Sequence, residues 1–66
     1  MIKVDFQHNT GKYTLIGLTD SIPLKWKGDT IVIDGKKYKT EIVYDLPKHI
    51  AVIGSGEFIG KEVVFV

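Results

Sequence analysis

Thr30-Ile31-Val32-Ile33-Asp34-Gly35-Lys36-Lys37-Tyr38-Lys39 is a pair of β runs around an Asp-Gly dipeptide. A two-residue type I′ turn needs positive φ at both central residues, and Asp followed by Gly is among the few pairs that supply it. The turn then sets the register. Ile33 opposes Lys36, Val32 opposes Lys37, Ile31 opposes Tyr38 and Thr30 opposes Lys39. Because side chains alternate along a strand, Ile31 and Tyr38 share a face, and that face continues through Thr40, Ile42 and Tyr44. The other face carries Lys37, Lys39, Glu41 and Val43 and is wet for most of its length.

The same period of two recurs on either side. Ile2, Val4 and Phe6 alternate with Lys3, Asp5 and Gln7, which predicts a half-buried strand with the three apolar residues on one face. Asn9-Thr10-Gly11 supplies turn chemistry, and Tyr13–Leu18 follows with apolar groups on both faces, as a central strand requires; Gly17 marks a bend or bulge in it. Thr19-Asp20-Ser21 reads as a loop. Pro23 places a short strand at 24–27, at an edge or after a bend, and Gly28-Asp29 turns the chain into the central hairpin. Asp45-Leu46-Pro47-Lys48 breaks the hairpin's second strand with a single 3₁₀ turn. Residues 50–53 and 61–66 are the last two strands, separated by the loop Gly54-Ser55-Gly56. Both are apolar on both faces, so they belong deep in the sheet or close it.

Composition agrees with this pattern. Of 66 residues, 28 are Val, Ile, Thr or aromatic and only ten are Ala, Leu, Glu, Gln, Met or Arg. Branched and ring side chains fit a pleated surface better than a helix. Seven short runs with frequent turn signals predict a single all-β domain over 1–66. The expected architecture is a small antiparallel barrel (SH3-like or OB-like) or a compact two-sheet sandwich of about five to seven short strands. Its core is thin, since a chain this short buries only about 60% of its unfolded surface. Cysteine is absent, which excludes disulfides, thiolate metal sites and a cysteine nucleophile. No apolar run approaches the roughly 18 residues of a membrane span, and the start of the chain lacks the apolar core of a signal peptide, so a cytoplasmic protein with no membrane partner is expected.

Residues 50–60, Ile-Ala-Val-Ile-Gly-Ser-Gly-Glu-Phe-Ile-Gly, imitate the strand and glycine turn of a dinucleotide site. The third glycine falls at Gly60, one position late, and six residues after it leave no room for the helix that would hold a pyrophosphate. A glycine-rich loop is the expected structure. His8, His49, Ser21 and Ser55 form no recognisable catalytic set, and the carboxylates show no ligand spacing and no acid–base pairing. Neither catalysis, a metal nor a cofactor is expected.

One asymmetry remains. Residues 25–39 hold five lysines against Asp29 and Asp34, a local charge of +3 in a chain of +1 overall. Lys25, Trp26, Lys27, Lys37 and Lys39 therefore form the candidate binding patch. The functional expectation is a non-catalytic binding or assembly module that meets a protein partner or a second copy of itself. The alternative is a single-stranded nucleic-acid binder, with Trp26 as stacking platform and lysines on phosphates. Two structural roles compete with that alternative. Trp26, on the same face as Leu24, fills a core or barrel mouth, and the lysines protect an edge hairpin from sheet-to-sheet pairing. Without arginine, bidentate phosphate or guanine recognition lacks its preferred tool.

Overall fold

A computed structural model describes residues 1–26, 28–43 and 46–66. Among them lie six strands and no helix: β1 (Val4–Asn9), β2 (Tyr13–Leu18), β3 (Thr30–Ile33), β4 (Lys36–Ile42), β5 (His49–Ile53) and β6 (Val63–Phe65). They form one antiparallel sheet in the order β1-β2-β5-β4-β3-β6. The sheet is not closed by a full ladder. Its two outer strands approach through an isolated Lys3–Glu62 bridge, flanked by backbone bonds from Val4 N to the Lys61 carbonyl and from Val63 N to the Ile2 carbonyl.

The hairpin at Asp34-Gly35 has the register read from the turn, pair for pair from Ile33–Lys36 to Thr30–Lys39. Both turn residues have positive φ, 55° at Asp34 and 78° at Gly35. The hairpin is not at an edge, however: β6 pairs with β3 and β5 with β4, so lysine protection of a free edge does not describe it. β4 serves two neighbours in succession. Its first half pairs with β3 and its last three residues with β5, and at the junction Thr40 donates both its N–H and its hydroxyl to the Asp29 carbonyl. The core lies on the inner face of this bent sheet, built from Val4, Ile16, Leu18, Ile31, Ile33, Ile50, Val52, Phe58 and Val63.

Three expectations are corrected. Ile2, Val4 and Phe6 do not share a face. Val4 pairs with Leu18 but Phe6 pairs with Gly17, so Asp5 is a bulge that swings Phe6 outward (45% exposed) and brings Gln7 to the inner side. An extra residue reverses every side chain beyond it. Residues 24–26 are not a strand either. Trp26 N–H donates back to the Pro23 carbonyl at 3.1 Å, curling the chain into a turn at Leu24 and Lys25. The last strand is shorter than 61–66, and it lies at the outside of the order, where it meets β1, while the strand expected at 50–53 is central. The inner-face assignment of Tyr44, the start of the break at Asp45, and Lys27 of the expected 24–27 strand lie outside the described residues.

Candidate functional site

The glycine-rich segment that imitates a dinucleotide site is a loop that packs inward. Phe58 is buried and meets Tyr38 edge-on, with ring centroids 5.2 Å apart. The Gln7 amide holds it there, accepting from Phe58 N–H at 2.7 Å and donating to the Gly56 carbonyl. His8 is exposed on β1, and His49 is half-buried, edge-on to Phe6 across Gly17. Among the described residues no three His, Asp or Glu side chains converge as metal ligands. No helix among them is long and apolar enough to cross a membrane.

Trp26 is tethered rather than displayed. Its indole N–H donates to the Val66 carbonyl at 3.0 Å, and its ring packs edge-on against Phe65 with centroids 5.0 Å apart. Gly28 permits this approach, since a Cβ there would lie 2.9 Å from the Val66 carbonyl oxygen. Trp26 thus packs against the core, while Leu24, expected on the same face, is 98% exposed: the turn at Leu24 and Lys25 separates them.

Lys25 is exposed beside Trp26 and shares with it, Phe65 and Val66 a shallow groove of about 380 Å³. Lys37 and Lys39 line a second open groove of about 470 Å³ with Thr30 and Val66. Val66 borders both, so four of the five sequence-predicted residues lie on adjoining surfaces; Lys27 lies outside the described residues. Lys39 is already engaged, with its ammonium 3.4 Å from the Asp29 carboxylate. The Thr30 hydroxyl, and after it Lys39, hold the Asp29 carboxyl below its ordinary value.

Sequence reasoning missed a second surface. Ile22, Pro23 and Leu24 from one segment, and Ile42, Val43, Leu46 and Pro47 from another, wall a groove of about 400 Å³ in which every lining residue is apolar. Two backbone bonds tie the neighbouring stretches together, Leu18 N–H to the Lys48 carbonyl at 2.7 Å and Ile22 N–H to the Pro47 carbonyl at 3.1 Å, and a bond from His49 N–H to the Leu46 carbonyl at 3.1 Å turns the second stretch on itself. Ile42 pairs with Ile50 on the inner face, yet Ile50 is fully buried and Ile42 is 51% exposed. The groove is therefore the place where the inner layer runs out to the surface. Leu46, 42% exposed, and Leu24 stand at its walls. No periodic pattern announces these residues, because six of the seven lie outside the strands; the only sequence signal is the repeated pairing of Pro with Ile or Leu (Ile22-Pro23-Leu24, Leu46-Pro47).

In comparisons with protein-family models, with curated proteins and with solved structures, nothing matched this chain.

Proposed function

We propose that the chain is a non-catalytic interaction module of the small-barrel type that docks a protein partner in the groove between Leu24, Ile42 and Leu46. The carrying observation is the near-complete exposure of Leu24 beside two further half-exposed aliphatic residues on an all-apolar groove. Clustered exposed apolar groups of this kind mark contact surfaces, whereas single exposed ones carry no such message. Its volume falls within the roughly 300–1,000 Å³ typical of binding clefts. The barrel reading is supported by the Lys3–Glu62 bridge, which draws the outer strands of the sheet toward each other.

Nucleic-acid binding is the second reading, favoured by the meeting of the Lys25/Trp26 and Lys37/Lys39 grooves at Val66. It ranks lower because Trp26 spends its N–H on Val66 and a ring edge on Phe65, and a stacking platform needs an open ring. An amide chemical-shift titration with single-stranded oligonucleotide and with leucine-containing peptides separates the two. Docking in the groove moves residues 22–24, 42–43 and 46–48 with peptide. A response confined to Trp26, Lys37 and Lys39, and only with oligonucleotide, replaces the first reading by the second.

A further inference from the structure

We propose that the outer edge of β1 between Gln7 and Asn9 is a second docking surface, which takes an extended, lysine-bearing peptide segment as an added strand. The hydrogen-bond phase of β1 is set at its turn. Thr10 N–H donates to the Tyr13 carbonyl at 2.8 Å, so Thr10 and Tyr13 are a bonded pair, and by alternation so are His8–Leu15 and Phe6–Gly17. Gln7 and Asn9 therefore turn their N–H and C=O groups away from β2, toward the outside of the strand order. The chain at 60–61 takes up the corresponding groups of Val4, with Val4 N–H on the Lys61 carbonyl and Gly60 N–H on the Val4 carbonyl. Farther along the edge, only the Gln7 side chain spans to the loop, at Gly56 and Phe58. Among the described residues the main-chain groups of Gln7 and Asn9 have no partner on that side. Two N–H and two C=O groups in alternation match the backbone of an extended segment, which is how a strand adds to a sheet edge.

Open edges are ordinarily protected by lysine, proline or a bulge within the strand. β1 contains neither lysine nor proline, and its bulge at Asp5 precedes the open stretch, so residues 6–9 keep a regular register. What borders the edge selects the occupant. Gln7, His8 and Asn9 form with Glu57 and Ile59 a shallow groove of about 270 Å³, and Ile59 is 60% exposed. Residues 5–9 and 55–59 hold Asp5 and Glu57 and none of the nine lysines, so the border is negative in a chain of +1. Neither carboxylate is in an ion pair among the described residues. Of the flanking lysines, Lys61 is engaged with Asp34, Lys3 stands opposite Glu62, and Lys12 lies 5.5 Å from the Tyr13 ring. A lysine of the added strand is complementary on both counts, with its methylene stem on Ile59 and its ammonium beside Glu57. An acidic segment meets repulsion at the same place.

The test is an amide titration of the whole chain with three capped peptides: Lys-Val-Lys-Val-Lys, its counterpart Glu-Val-Glu-Val-Glu, and the lysine peptide fully N-methylated. Alternate lysines point to one face of an extended peptide. Peptide is taken to about 2 mM, because a contact this far below a standard interface binds weakly. The lysine peptide is expected to shift the amides of Gln7, Asn9 and Ile59 and to slow hydrogen exchange at Gln7 and Asn9 several-fold at saturation. Glu57→Gln weakens its binding about two- to fivefold, the range of an exposed ion pair. The N-methylated peptide keeps the charge, cannot donate from its backbone, and leaves the exchange rates unchanged. No response of Gln7 and Asn9 to the lysine peptide, or an equal response to either of the other two, overturns the proposal. A response confined to residues 22–24, 42–43 and 46–48 seats the peptide in the apolar groove and overturns it as well. Shifts at Gln7 and Asn9 on concentrating the protein alone mean that two copies pair along β1, which overturns the assignment of a foreign segment.

Discussion

Gln7 shows how one side chain can stand in for a missing strand. The Asp5 bulge turns it inward, and its amide supplies the acceptor and the donor that the loop backbone at Phe58 and Gly56 requires. Gln7→Ala leaves both groups without these partners, and an unsatisfied buried group costs about 1–3 kcal/mol. The denaturation midpoint falls accordingly, and Gln7→Glu, which keeps the acceptor but not the donor, recovers part of the loss. Gly17 is constrained from the other side of the same strand pair. A Cβ there would stand 2.9 Å from the Phe6 Cβ, too close to the root of a side chain for a rotamer change to relieve it. Gly17→Ala is expected to destabilise by about 1–3 kcal/mol, as overpacking does. At Asp29 the test is titration. A depressed carboxyl contributes stability above its unfolded value and loses it as pH falls through the lowered one. The contribution is small because the group is exposed, but an NMR titration of Thr30→Val should show the Asp29 pKa rising toward its ordinary value, since the Thr30 hydroxyl is the main cause of the shift.

The elements divide by how local their causes are. The β3–β4 hairpin was legible to the residue because its register follows from two turn residues. Gly35→Ala puts a Cβ on a residue with φ of 78° and is expected to cost about 1–2 kcal/mol by thermal unfolding. Tyr13–Leu18, apolar on both faces, was equally legible as a central strand and does lie between β1 and β5. The bulge in β1 was not legible, because alternation in Ile2, Val4 and Phe6 is unbroken and only the pairing with Gly17 shows the extra residue. Nor was the turn at Leu24 and Lys25: the apolar residues there suggest a strand, but Pro23 starts a turn that a bond to its own carbonyl completes.

Across the whole molecule, the surface is 4410 Å², against about 4,200 Å² expected from size scaling for this mass. The fold is therefore about as closed as its size allows, and the exposed groove reflects where the apolar residues stand, not an open structure. The candidate site was only half legible. The lysine clustering could be counted along the chain, and four of its five residues do adjoin. The groove joins residues 22–24 to residues 42–43 and 46–47, held by the Ile22 N–H bond to the Pro47 carbonyl, which no side-chain pattern records. The two surfaces also differ in their response to salt. Phosphate binding by Lys25, Lys37 and Lys39 would give log K a slope of about −2 against log salt, at ~0.7 per contact, whereas docking in an apolar groove depends on salt only weakly.

The most direct measurement is a titration of ¹⁵N amide spectra with leucine-containing peptide at constant salt. Residues 22–24, 42–43 and 46–48 should shift progressively as peptide is added, and Leu24→Asp should abolish the shifts while leaving the rest of the spectrum in place. Wild-type spectra that do not change with peptide, in a protein whose groove also takes up none of the apolar dye ANS, would contradict the assignment of this surface as the one through which the molecule acts.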